Sequence, residues 1–103
     1  MSEQTVYVVQ EQPGRNILSA QEYGTIKVML PPWGQIIFSV APAVRQLKDH
    51  LKNFSDDDYI LAMGDPTAIG IACSVAAKNN NGRYKVLKWD RQESQYYVVQ
   101  VVL

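Results

Sequence analysis

The sequence has few of the residues on which most catalytic and metal sites depend. It contains one cysteine, Cys73, and one histidine, His50, in 103 residues. A single cysteine excludes an internal disulfide framework and a cysteine-rich zinc site, and it is typical of a reducing compartment. The single histidine lies on the predicted polar side of the first helix, so neither a paired metal site nor a Ser-His-Asp arrangement with a spare ligand is apparent. We interpret Cys73 as a buried packing residue and His50 as an exposed one, and we expect no enzyme activity, no metal and no cofactor.

The chain also lacks an excess of either charge. Ten Lys and Arg balance ten Asp and Glu, so the formal net charge is zero and no overall field attracts nucleic acid or anionic lipid. No apolar run approaches the ~18 residues of a membrane span, and the first residues show no signal-peptide pattern. With 47% hydrophobic residues, the chain is predicted to fold as one domain over 1–103 and to reside in the cytoplasm.

The pattern of apolar residues predicts an α+β fold, in which two helices pack on a small mixed or antiparallel sheet. β-Branched and aromatic residues alternate in three early stretches, which predicts strands. The segment 31–34 has two prolines and a glycine, so it predicts a turn that joins the second and third strands as a hairpin. The segment 15–24 is predicted to be a loop with a short extended stretch at 17–18. The three predicted strands span 5–10, 25–30 and 35–39.

The middle of the chain changes to a helical period. Apolar residues recur at steps of three and four, which predicts a helix over 41–53 with Pro42 in its first turn. Ser39 is the candidate N-cap, because its hydroxyl could accept a backbone N–H that the helix leaves free. The residues on the predicted apolar face are Val44, Leu47, Leu51 and Phe54.

A short apolar run, a helix of small residues and a final hairpin complete the chain. The run predicts a central strand over 59–63, and a helix over 66–78 follows it with Asp65 as its cap. Gly70 within that helix indicates a close backbone approach to a neighbour. A β-α-β-like unit therefore leads into a C-terminal β-hairpin, whose strands are predicted at 83–89 and 96–103.

Two acidic segments are candidate ligand sites with simpler structural readings. Gly64, Asp65 and Thr67 stand where a strand meets a helix N-terminus, and such a turn can hold an anion. Asp65 brings a negative charge to that point, so a structural cap is the competing reading. The run 56–58 consists of three aspartates that could attract a divalent cation, but it lacks the EF-hand pattern. We interpret that run as a solvated turn.

Two groups of basic residues could contact a partner. One group follows a stripe of the first helix, and the other lies on the last hairpin beside aromatic residues that could stack on bases. The alternative is a solvated helix face, on which Asp49 pairs with Arg45, and hairpin aromatics that lie in the core or a protein interface. The candidate partner-binding residues are Arg45, Lys48 and Lys52 on the helix and Lys85, Lys88, Trp89 and Arg91 on the hairpin, next to Tyr96 and Tyr97.

Most of the chain resembles small proteins encoded by tailed bacteriophages, including podovirus-type phages of marine bacteria. The resemblance implies a setting, the cytoplasm of an infected bacterium, and it transfers no catalytic residue. The residues that carry it are 8–11, 13–16, 64–72, 82–84, 87–92 and 96–97.

The resemblance and the neutral charge together favour a non-enzymatic accessory protein that binds a host or phage protein, as small phage proteins used in host takeover do. A nucleic-acid-binding protein that uses the basic and aromatic residues is the alternative. A second alternative is an enzyme that cleaves phosphate bonds with Asp65 and Thr67. The small-residue helix and the apolar last strand also make a homodimer plausible. We expect no membrane partner.

Overall fold

The structure, a computed structural model, describes residues 3–32 and 40–103. It has a five-stranded sheet in the order β2-β1-β3-β4-β5, two α-helices and one short 3-10 helix. The strands are β1 (Thr5–Gln10), β2 (Thr25–Leu30), β3 (Tyr59–Leu61), β4 (Arg83–Asp90) and β5 (Gln95–Val102). The helices are α1 (Ala41–Leu51), α2 (Pro66–Asn79) and the 3-10 helix Leu18–Glu22.

The sheet is mixed, which confirms the predicted α+β class. β1 pairs in parallel with both β2 and β3, and β3 pairs in parallel with β4. β4 and β5 form the predicted antiparallel hairpin, in register from Arg83 opposite Val102 to Asp90 opposite Gln95. β3, α2 and β4 make the predicted β-α-β unit, because a parallel pair of strands needs a crossover between them.

Each face of the sheet has its own apolar core, because alternate residues of a strand point to opposite sides. Tyr7 and Val9 of β1 pack with α1 and α2. Val6 and Val8 pack on the opposite side with Ala20 of the 3-10 helix. The α-helical core also contains Leu47, Leu51, Phe54, Ile60, Ala68, Ala72 and Ala76, and the other core contains Tyr59, Leu61, Met63, Leu87 and Tyr96.

Three local predictions need correction. The stretch predicted as extended at 17–18 leads into the 3-10 helix, in which Ala20 is fully buried. The N-cap of α1 is Val40 and not the predicted Ser39, and no side-chain hydrogen bond caps the helix there. The backbone at Gly70 does not lie close to a neighbouring element, since a Cβ placed there would meet nothing within 4 Å. The strand predicted at 35–39, which includes Ser39, lies outside the described residues. Among the described strands, β2 pairs in parallel with β1.

The acidic run at 56–58 begins as the predicted solvated turn at Asp56 and Asp57, but Asp58 is buried and has a structural role. Asp58 is buried, and its carboxylate accepts N–H groups from Thr5 at 3.1 Å and from Ser55 at 2.9 Å. Asp56 accepts from Arg83 at 3.1 Å and from Asn80 at 2.8 Å, and these bonds lower the pKa of Asp56. The run therefore ties the start of β1 to the entrance of β3 and to the start of β4.

Removal of the Asp58 carboxylate should destabilise the fold. We expect Asp58→Ala to lower the free energy of unfolding by about 2–3 kcal/mol, because it leaves the N–H groups of Thr5 and Ser55 without an acceptor. Chemical denaturation followed by circular dichroism measures this change. Asp57→Ala is the matched control and should stay within about 0.5 kcal/mol of the parent. Equal effects of the two substitutions would contradict the role assigned to Asp58.

Candidate functional site

A crevice opens at the carboxyl ends of the central strands. β1 and β3 are neighbours, but the chain leaves β1 through the 3-10 helix on one face and leaves β3 through α2 on the other. Connections that diverge in this way leave a gap between adjacent strand ends, and ligands of open α/β sheets bind in such gaps. The gap here is a cavity of about 450 Å³. It is lined by Gln12, Gly14, Arg15, Asn16, Leu61, Ala62, Met63, Gly64, Leu87, Trp89 and Tyr96.

The side wall of the crevice joins the hairpin to the loop after β1. The rings of Trp89 and Tyr96 meet edge to face, with centroids 4.9 Å apart. The hydroxyl of Tyr96 donates to the carbonyl oxygen of Asn16 at 2.6 Å, and the hydroxyl of Tyr23 donates to the carbonyl oxygen of Tyr96 at 3.0 Å. The loop is therefore held against the hairpin by hydrogen bonds, so the crevice has a defined shape.

The inner end of the crevice is fixed by Gln10, the last residue of β1. Its backbone N–H donates to the Met63 carbonyl at 3.1 Å, and its side-chain oxygen accepts the Asp65 N–H at 2.8 Å. Its side-chain amide also donates to the Pro31 carbonyl at 3.1 Å. Gly64 packs directly on this side chain with a φ of +111°, and a Cβ there would collide with Gln10. A glycine is thus required at position 64.

One positive charge faces the crevice. Arg15 is the one charged residue among the described residues that line it, and the side chain is exposed. Burial raises the pKa of Tyr96, and the positive charge of Arg15 opposes that rise in part. Arg15 therefore places a positive charge at the crevice although the whole chain is neutral.

The predicted anion site divides between the crevice and the helix cap. Gly64 lines the crevice, as described above. Asp65 caps α2 as predicted, and its carboxylate accepts the Thr67 N–H at 2.7 Å. This N–H is consequently used within the fold, and an anion site made of Gly64, Asp65 and Thr67 stays a prediction.

The predicted basic stripe of α1 is exposed. Arg45, Lys48 and Lys52 all face solvent. Asp49 pairs with Lys52 at 3.8 Å rather than with Arg45, and a pair this exposed contributes about 0.2–1 kcal/mol at most. Lys48 borders a shallow groove between α1 and α2.

The basic and aromatic residues of the hairpin do not form one surface. Lys85 and Trp89 share one face of the sheet, whereas Lys88 is on the other, because successive strand residues alternate. The ammonium of Lys85 lies 4.1 Å from the centroid of the Tyr59 ring. Arg91 is exposed in the turn beyond β4. A nucleic acid that contacts all of these residues together would have to reach both faces of the sheet.

The outer edge of β5 is the other notable surface. β5 stands at one end of the strand order, and it has no charged residue in its sequence QYYVVQVV. The Leu103 N–H donates to the Gly82 carbonyl at 2.8 Å. Because antiparallel pairs alternate, the residues that bond to β4 continue as Val101, Val99 and Tyr97. The outward N–H and C=O groups then belong to Val98, Gln100 and Val102, and the outward carbonyl of Tyr96 already accepts the Tyr23 hydroxyl.

The remaining residues singled out in the sequence have structural roles. His50 is half-buried rather than exposed, and burial together with nearby Lys27 lowers the pKa of His50. Cys73 packs partly buried against the core, and burial raises the pKa of its thiol.

Within residues 3–32 and 40–103, no group of three or more His, Cys, Asp and Glu could hold a metal ion. No helix of that same part is long and apolar enough to cross a membrane.

Sequence reasoning missed most of the crevice. It singled out Gly64 as part of one candidate site and Trp89 with Tyr96 as part of another, but it did not single out Arg15 or Asn16 as site residues. The available signal was the Pro13-Gly14 turn directly after a buried strand, which marks the carboxyl end where such sites form. The parallel pairing of β1 with β3 was needed to bring that turn beside the hairpin.

These features define a small α+β domain with a mixed sheet and a crevice at its carboxyl edge. Residues 4–103 match the family described as Phage Pam3 gp32-like protein, so the chain belongs to that family. This confirms the resemblance to small phage proteins. No curated protein and no solved structure matches the chain.

Loss of the Tyr96 hydroxyl should loosen the crevice wall. We expect Tyr96→Phe to lower the free energy of unfolding by about 1 kcal/mol, since it removes the hydrogen bond to Asn16. Trypsin should also cut faster after Arg15, because the loop opens more often. Tyr97→Phe changes an exposed ring on the same strand and serves as the control. An unchanged cleavage rate at Arg15 in Tyr96→Phe would show that this bond does not hold the loop.

Proposed function

We propose that this phage protein is not an enzyme and that it acts by binding a host or phage protein through the outer edge of β5. The observation that carries the proposal is a strand of eight residues, uncharged throughout, that no described strand covers on its outer side. Membership of a phage family supports the setting. The contact itself is our inference from the edge.

The edge lacks the devices that usually prevent pairing with other chains. Folded proteins protect long edge strands with lysines, prolines, bulges or covering segments. β5 has neither lysine nor proline. Apolar side chains are also exposed along it, with Val98 41% exposed and Val102 67% exposed. An edge of this kind is suited to a partner that adds a strand to the sheet.

The proposed occupant is an extended segment of a partner protein. In strand addition, main-chain hydrogen bonds give affinity and alternate side chains give specificity. Here Val98, Gln100 and Val102 would supply the main-chain groups. Tyr97 and Val99 would contact side chains of the added strand on the α-helical face of the sheet. Hydrogen bonds of this type do not depend on net charge, so a neutral chain can form them.

Proline at position 100 tests the edge directly. Gln100 is exposed and its N–H points outward, so Gln100→Pro removes an outward donor without breaking a bond to β4. We expect at least a roughly tenfold loss in recovery of the partner from nuclease-treated lysate of infected cells, measured by quantitative mass spectrometry. Gln100→Thr keeps the N–H and should recover the partner as the parent does.

The other outcomes oppose the proposal. A partner recovered equally by both variants would bind elsewhere on the protein. Loss of every partner on nuclease treatment would favour the nucleic-acid alternative and the basic residues of α1 and the hairpin. If light scattering shows a dimer that Gln100→Pro dissociates, the occupant is a second copy of this chain. Circular dichroism of both variants confirms that they fold.

A further inference from the structure

We propose that the crevice at the carboxyl edge of the sheet binds a small organic anion with a planar base, of the nucleoside monophosphate class. Nothing about the β5 edge enters this inference, because Gln100 and the outward groups of β5 lie outside the crevice lining. The proposal rests on the place of the cavity in the fold, on the charge of Arg15, and on the indole of Trp89 in the wall.

The place and size of the cavity favour a small molecule. It lies where the connections from β1 and β3 diverge to opposite faces, which is the binding position of open α/β sheets. Its volume of about 450 Å³ is within the range of roughly 300–1,000 Å³ that is usual for ligand sites. The hydrogen bond from Tyr96 to Asn16 and the contacts of Gln10 fix the positions of the lining residues in the absence of a ligand.

The charge of the cavity favours an anion. Arg15 is its one charged lining residue in the described chain, and no ion pair with Arg15 occurs there. The backbone of Arg15 is fixed by a turn, since its N–H donates to the Gln12 carbonyl at 3.1 Å and Gly14 has a φ of +84°. A guanidinium presents a planar set of N–H donors that matches the oxygens of a phosphate.

The rest of the lining favours a ligand with a flat apolar part over a bare inorganic anion. Leu61, Met63 and Leu87 are buried and present little surface to a ligand, but the half-buried indole of Trp89 offers a flat aromatic surface in the wall. Stacking of a base on an aromatic side chain contributes about 1–3 kcal/mol. A nucleoside monophosphate combines such a base with a phosphate.

The fold also explains why the phosphate would be held by Arg15 rather than by the start of α2. Asp65 occupies the helix cap, and its carboxylate already accepts the Thr67 N–H. A phosphate there would meet a negative charge at short range. The arginine on the opposite loop is the available cation, and it is exposed, so its substitution does not disturb the core.

Titration of the ¹⁵N-labelled full chain with AMP and CMP, followed by NMR, tests the proposal. We expect shifts at the Trp89 indole N–H and at the amides of residues 12–16 and 62–64. Adenosine, cytidine and inorganic phosphate should each bind at least about tenfold more weakly, because each lacks one of the two recognised parts. The titrations are carried out at low ionic strength, where a charge contact is least screened.

Two substitutions separate the parts of the site. Arg15→Gln should weaken AMP binding about tenfold or more and leave adenosine binding unchanged. Trp89→Leu should weaken adenosine and AMP alike. Arg45→Gln removes an exposed arginine on α1 and is the matched control for charge. Shifts confined to residues outside the crevice, no shifts with either nucleotide, or equal AMP affinity in Arg15→Gln and Arg45→Gln would each overturn the proposal.

Discussion

The structure depends most on the side chain of Gln10 at the end of β1. This amide is buried, so its oxygen and nitrogen must find partners within the fold. It finds them in the Asp65 N–H and the Pro31 carbonyl. One side chain therefore fixes where the chain leaves β2 and where it enters α2, and Gly64 is held against it without a Cβ.

The sheet carries two surfaces with different chemistry, the crevice near Gln10 and the outer edge of β5. At the carboxyl ends of β1 and β3 the chain diverges, and the result is a crevice with a cation and an indole. At the far end of the sheet the edge strand β5 presents main-chain groups and has no charged residue. The hairpin connects them, since Tyr96 lies in the crevice wall and also belongs to the edge strand. A ligand in the crevice and a strand on the edge would contact the same β-strand from different sides.

The local elements could be predicted from the sequence, and their pairing could not. The alternation in 5–10 and the capping by Asp65 depend on neighbours in the chain, and both predictions are confirmed. The burial of Asp58 depends on Thr5, which is 53 positions away in the sequence. The crevice has the same origin: Arg15 and Trp89 line one cavity because β3 and β4 follow β1 in the sheet order. No local period encodes that order, so the site residues in the loop after β1 were missed.

A neutral chain can still bind selectively, because the field that a ligand meets depends on local geometry rather than on net charge. Asp56 and Asp58 are committed to hydrogen bonds at the opposite end of β3, and Asp65 is committed to a helix cap. Two acidic side chains are thus bonded at the other end of the strand, and the third is bonded within the cap of α2. Arg15 forms no ion pair within the described residues. This leaves one uncompensated positive charge at a cavity that has an indole in its wall, and that arrangement would select a small anion with a flat aromatic part.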